Sequence, residues 1–278
     1  MDVLYIKEKD ENLTLKQKIT FNKIEQNIID NKEVICIPIN DKTRIKKNNR
    51  VSKKLNKLLY KKCAKNVVLS NALLKNEIIK NSLYAENINI LDGRKLFNLL
   101  AKQAVEKVCK LANKQIEEIE ISILVNDYDE TNMKNIISIA KDVKRLNIVT
   151  NHVEKFNNLQ DYLYDELGIL IKISNNKKKD LLNSKIILNM DFPEEILNKF
   201  CLPQKSVIIN LSNEINIKTK QFNGININYY NIYMKDKYKL QGFNDVLVYE
   251  ALIYDLKKDD ASEKILKDKI RYRIFYRK

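Results

Sequence analysis

Apolar positions along this chain follow two rhythms. Short runs of β-branched and aliphatic residues read as strands. Between them lie stretches with apolar residues three or four apart, the spacing of helices with one buried face. In the first half, Val34-Ile35-Cys36-Ile37-Pro38-Ile39 is a strand whose proline marks an edge or an end. Val51 to Ala64 is a helix with Val51, Leu55, Leu58, Leu59 and Cys63 on one face. Residues 66–70 make the next strand, 71–84 a helix and 88–91 a strand closed by the turn pair Asp92-Gly93. Residues 94–118 read as one long helix.

The second half is more regular. Strands are predicted at 121–125, 146–150, 169–173, 185–189, 206–211 and 225–234. Helices are predicted at 130–144, 153–167 and 177–182, and from Pro193, a residue tolerated in a first helical turn, to Phe200. Gly168 stands where a helix stops. Strands alternating with helices in this order are the mark of a doubly wound sheet. A helix at 243–256 is expected to pack back on the first half, and RYRIFYRK ends the sequence as a strand of alternating Arg and aromatic residues. The fold class predicted is therefore α/β, with two α/β domains, the second a doubly wound, Rossmann-like, mostly parallel sheet. The expected boundaries are 1–118, 119–235 and a C-terminal helix and tail at 236–278.

Composition narrows the picture. The chain has 278 residues, 44% hydrophobic and 31% charged, which suits a globular protein rather than a disordered one. No apolar run nears the roughly 20 residues that span a bilayer. The start, MDVLYIKEKDENL, lacks the basic and apolar regions of a secretory signal, so a cytoplasmic location is expected, with no membrane partner. Of the four cysteines, none pairs with another at C-x-x-C spacing, which disfavours a zinc ribbon and predicts buried free thiols. His152 is the single histidine, so a multi-histidine metal site is excluded and no metal is expected.

The net charge of +15 favours an anionic partner. Abundant Lys, Asn and Ile, with four Gly and no Trp, is also the bias that AT-rich coding imposes, so where the charge lies matters more than its total. It is dense between residues 41 and 65, where eleven Lys and Arg, Lys53, Lys54, Lys57, Lys61 and Lys62 among them, face Asp41 alone. This is either a surface for nucleic-acid phosphates or an acidic partner, or a solvated helix face.

The runs ISILV, LNIVT, ILIKI, KIILN and SVIINLS, with SKIILNMDFPEEILNKFCLPQKSVIINLS, resemble the cofactor domain of NAD(P)-dependent dehydrogenases, in the two-domain layout of shikimate dehydrogenase. The resemblance implies a dinucleotide cradled by G-x-G-x-x-G after the first strand. Here that place holds Asn126-Asp127-Tyr128-Asp129-Glu130-Thr131-Asn132, which has no glycine and whose acids suit a helix N-cap but repel phosphates. After the second strand, Thr150-Asn151-His152 replaces the acid that would hold a ribose 2′-OH, while Lys155 is placed to neutralise a 2′-phosphate. The expected cofactor is therefore none, with NADP as the alternative and Thr150, Asn151, His152 and Lys155 as its candidate residues.

His152, past a strand end, reads as a ligand contact or as a loop residue. Asp92-Gly93-Arg94-Lys95 reads as an anion site, with Arg94 and Lys95 supplying charge, or as a helix cap. Asn189-Met190-Asp191 and Asn210-Leu211-Ser212-Asn213-Glu214 sit at strand ends where a ligand between the domains would lie. No nucleophile elbow, P-loop or paired-carboxylate motif identifies a catalytic residue. Three readings follow: a protein binding a small ligand or protein partner without a cofactor, a divergent NADP-dependent oxidoreductase, or a nucleic-acid-associated protein.

Overall fold

A computed structural model describes residues 3–9, 23–39, 43–176, 179–218, 222–233, 239–255 and 271–273. The chain divides into two compact units, Met1–Gly93 with Ile232–Arg271 and Arg94–Asn231 with Tyr272–Lys278.

The first unit opens with strands β1 (Val3–Glu8), β2 (Glu25–Ile29) and β3 (Lys32–Ile37) and helix α1 (Ile45–Lys61). Strand β4 (Asn66–Leu69), helix α2 (Glu77–Ala85) and strand β5 (Asn89–Ile90) follow. The sheet order is β2-β3-β1-β4-β5. Central β1, which the sequence pattern did not single out as a strand, runs parallel to β3 and β4. Val3, Leu4, Tyr5 and Ile6 are all buried, so both faces of β1 are covered. Such a strand is continuously apolar rather than alternating. Among the described strands of this sheet, the one antiparallel pairing is the β2–β3 hairpin. Its turn residues Asp30 and Asn31 have φ of 47° and 61°, the pair of left-handed residues that a type I′ turn requires. Pro38 follows the last residue of β3, at an end as expected. On one face of the sheet, Leu4, Ile6, Ile35 and Ile37 pack with Val51, Leu55 and Leu59 of α1 and with Ile79 and Leu83 of α2.

The second unit begins with α3 (Arg94–Leu99) and α4 (Ala101–Leu111). The single helix expected over 94–118 is broken at Leu100, whose ψ of 12° leaves the helical range. It ends before Asn113, which has a left-handed φ of 51°. Phe97, Ala104, Val105 and Val108 of these two helices share a core with Ile121 and Ile123 of the next strand. The helices therefore belong with the second sheet. That sheet is built from β6 (Glu120–Leu124), α5 (Glu130–Ala140), β7 (Arg145–Val149), α6 (Asn157–Leu167) and β8 (Lys172–Ser174). It continues with β9 (Ile186–Asn189), α7 (Glu194–Leu197), β10 (Val207–Asn210) and β11 (Ile225–Ile227).

The spatial order is β8-β7-β6-β9-β10-β11, and every neighbouring pair is parallel. Counted from β6 as the first strand, this is 3-2-1-4-5-6, the order of the dinucleotide-binding Rossmann fold. Alternate side chains serve opposite faces. Ile121, Ile123, Ile148 and Leu188 meet α4, α5 and α6. Leu124, Val149, Ile187 and Ile208 meet Leu197, Phe192 and Phe200 around α7. Gly168 closes α6 with φ 65°, and the N–H of Ile169 reaches back to the carbonyl of Leu163. Residues 179–182 form turns rather than the helix expected over 177–182, of which 177 and 178 lie outside the described residues. The strand expected over 225–234 is instead β11 and a separate β12 (Asn231–Tyr233), and Met234 lies outside the described residues.

The chain then returns to the first unit as α8 (Asp245–Asp255), which packs on β1 and β4, with the Phe243 ring edge-on to Tyr5 at 5.6 Å. A last strand, β13 (Arg271–Arg273), pairs with β12, and residues 274–278 of the basic aromatic tail lie outside the described residues. Cys36 and Cys109 are buried, whereas Cys63 and Cys201 are exposed, contrary to the expectation for all four. Among the described residues no helix is long and apolar enough to cross a membrane.

Candidate functional site

In a 3-2-1-4-5-6 sheet the connections from the first and fourth strands diverge to opposite faces, which leaves a crevice beyond their C-terminal ends. Here those strands are β6 and β9. The segment after β6 is the turn that would cradle a pyrophosphate on its backbone N–H groups.

Those N–H groups already have an anion. Asp191, just past β9, accepts the N–H of Asn126 through both carboxylate oxygens, at 2.8 Å each, and the N–H of Asp127 at 2.7 Å. The turn is held from its other side as well. Asp129 caps α5 by accepting the N–H of Asn132 at 2.8 Å, and the Asn132 amide donates to the carbonyl of Asp127 at 3.0 Å. The side-chain oxygen of Asn126 accepts the N–H of Asn151, tying the end of β6 to the end of β7. Burial pushes the Asp191 carboxyl above the usual aspartate range. The two N–H bonds oppose that rise, and the neighbouring charges of Asp127 and Asp129 add to it. A dinucleotide pyrophosphate does not fit this turn in the usual mode: its donors are engaged and its surroundings are anionic.

The candidates after β7 fall at the C-terminal edge of the sheet, where the sequence places them. Thr150 is buried, donates its N–H to the carbonyl of Ser174 at 3.0 Å and accepts the N–H of His152 on its hydroxyl at 3.1 Å. His152 and Lys155 are exposed beside the short turn that leads into α6. Asn151 is the one that the structure joins to the β6 turn.

The Asp92-Gly93 turn has a similar arrangement. Gly93 takes a left-handed φ of 87°, and its N–H donates to the carboxylate of Glu250 on α8, which is 1% exposed. Arg94 is directed elsewhere. Its guanidinium donates to the carbonyls of Asn210 and Asn228, at 3.3 and 2.9 Å, and lies 5.9 Å from the centre of the Tyr229 ring. Lys95 is exposed.

A buried amide network crosses the C-terminal ends of β9, β10 and β11, unnoticed as chemistry in the sequence. The Asn189 amide donates to the Phe192 carbonyl and to the side-chain oxygen of Asn210, and its own oxygen accepts the N–H of Phe192. Asn210, fully buried, donates to the side-chain oxygens of Asn226 and Asn228, at 2.8 and 2.9 Å. Both of those residues donate to the carbonyl of Ile215. The donors of Asn189 and Asn210 are thus all used, which fixes both amide orientations. The sequence signal is an Asn at the last position of β9 and of β10, and Asn226 and Asn228 two residues apart at β11.

In the first unit, α1 holds Lys53, Lys54, Lys57 and Lys61 on its exposed side, with Lys62 just beyond it paired to Glu33 at 2.5 Å. Lys42 lies outside the described residues.

No family model and no curated protein matches this sequence. Among solved structures, the chain is similar to the L-tryptophan dehydrogenase of Nostoc punctiforme, with 12% identity, a TM-score of 0.38, and coverage of 95% of this chain and 77% of that one. It is also similar to a shikimate dehydrogenase in complex with NADP+, with 13% identity, a TM-score of 0.35, and coverage of 81% and 84%. A third is the ornithine transcarbamoylase of Giardia lamblia, with 8% identity, a TM-score of 0.32, and coverage of 80% and 75%. These are distant likenesses, and the assignment of the second unit as Rossmann-like rests on its own strand order.

Proposed function

We propose that this chain is a cofactor-independent binding protein in which a Rossmann-like unit serves as scaffold. The observation that carries this reading is the Asp191 carboxylate on the N–H groups of Asn126 and Asp127. A bound pyrophosphate would have to displace a carboxylate already hydrogen-bonded there and stand beside Asp127 and Asp129. A ligand suited to the ends of β6, β7 and β9 is neutral or cationic and rich in donors. The alternative, an NADP-dependent oxidoreductase, would use exposed Lys155 for a 2′-phosphate and would need Asp191 to leave the turn.

The test is a titration of the full chain with NADPH, and with NADH as control, followed by nicotinamide fluorescence. The proposal expects no saturable binding up to millimolar cofactor. Saturable binding in the micromolar range overturns it in favour of the oxidoreductase.

A further inference from the structure

We infer that the outward face of α1 docks the sugar–phosphate backbone of nucleic acid. The described segment from Thr43 to Lys65 holds ten Lys and Arg residues and no Asp or Glu. At 3.6 residues per turn, Lys46, Arg50, Lys53, Lys57 and Lys61 fall on one side of the helix. All five are exposed, while Val51, Leu55 and Leu59 on the opposite side are 5%, 0% and 0% exposed. Their spacing of three or four residues repeats a cation about every 4.5–6 Å over about 22 Å of axis. A rigid row of this length suits a polymer that carries a charge about every 3.4 Å along each strand.

Two features make this more than a solvated face. The first turn of α1 has no acid and its N-cap is Arg44, followed by Lys46 and Lys47. Cations at that end oppose the helix dipole, so they do nothing for the helix itself. An external anion reverses the sign of that interaction. Tyr60 stands beside the row and is 84% exposed, a side chain whose hydroxyl can donate to a phosphate oxygen.

The same geometry argues against a membrane surface. An interfacial helix lays its apolar face into the lipid. In α1 that face is already committed to the core of the first unit.

The experiment is fluorescence anisotropy of the full chain with a labelled, mixed-sequence DNA duplex about two turns long, over a series of salt concentrations. Five phosphate contacts predict a slope of log K against log salt of about −4.5, at about −0.9 per contact. The variant Arg50→Gln/Lys53→Gln/Lys57→Gln/Lys61→Gln should flatten that slope by about 3.6 and weaken binding more than tenfold at low salt. A control variant, Lys141→Gln/Lys144→Gln/Lys185→Gln/Lys205→Gln, removes the same charge from exposed positions of the second unit. It should leave the slope unchanged. Absence of binding at low salt overturns the inference. So does an equal loss in both variants, which would assign binding to the +15 total charge rather than to α1. Equal affinity for polyglutamate or for phosphatidylserine vesicles overturns it too. The inference goes beyond the cofactor-independent reading and fails separately from it, because the duplex reports on α1 and NADPH reports on the turn after β6.

Discussion

Asp191 accepts the backbone N–H of Asn126 with both of its carboxylate oxygens, at 2.8 Å each, and so joins the ends of β6 and β9. In a dinucleotide-binding sheet of the same strand order, that donor faces a phosphate. This chain supplies the anion from its own sequence. It does the same at Gly93, where Glu250 is the acceptor. The N–H groups of Asn126, Asp127 and Gly93 are thereby all engaged by carboxylates of the chain itself.

Half-buried Asp191 and buried Asp180 should give opposite pH dependences. The Asp191 carboxyl is raised by burial above the ordinary value of 3.8. A raised carboxyl stabilises the fold below its unfolded value, and that stability is lost as pH rises through the folded value. Burial also pushes Asp180 up, but hydrogen bonds from Lys172 and Ser174 and the Lys172 charge outweigh it and hold Asp180 below 3.8. Its contribution is present above 3.8 and is lost as pH falls. Urea unfolding across the acid range should show wild type losing stability relative to Asp191→Asn as pH rises above 3.8. It should show wild type losing stability relative to Asp180→Asn as pH falls below it. Dependences of the same sign would contradict this assignment.

Asn210→Ala should cost about 2–6 kcal/mol, because it leaves one Asn189 donor and the Asn226 acceptor without a partner, at about 1–3 kcal/mol for each unsatisfied group. The Asn228 oxygen keeps the N–H of Ile215 and should add little. Chemical denaturation of the purified variant measures the loss. A cost below about 1 kcal/mol would mean that the network is not a structural brace.

Two glycines should resist alanine for different reasons. At Gly168 there is nothing within 4 Å of an added Cβ, but φ is +65°, so Gly168→Ala should cost about 1–2 kcal/mol through strain and Gly168→Asn less. At Gly224 the added Cβ would lie 2.0 Å from the backbone oxygen of Ser206, next to the β10–β11 pairing. Gly224→Ala should therefore cost about 2–3 kcal/mol, and asparagine should not rescue it. Thermal denaturation of the alanine and asparagine variants at both positions distinguishes strain from collision.

The second sheet was legible because amphipathic helices follow β6 and β7 and the other strands are short apolar runs, and the missing glycines at 126–132 were legible because a pyrophosphate turn has a fixed chemistry. Strand β1 was not read, although its run Val3-Leu4-Tyr5-Ile6 is as continuously apolar as the other strands buried on both faces. The break at Leu100 was hidden because apolar spacing continues through it from Phe97 to Ala104. Asp191 could be placed near the crevice from sequence, but its role could not. Its partners lie 64 and 65 residues away and are backbone groups, which leave no trace in residue identity. The Asn189–Asn210 bond escaped for a related reason: asparagine at a strand end reads first as a turn residue.

The most direct measurement follows the backbone amide signals of Asn126 and Asp127 by NMR as pH is varied, in wild type and in Asp191→Asn, with and without NADPH. Both signals should titrate together in wild type, with a midpoint above 3.8, the shared titration should disappear in the variant, and NADPH should move neither signal in wild type. Amide signals insensitive to the Asp191 substitution, or displaced by NADPH, would contradict this reading of Asp191.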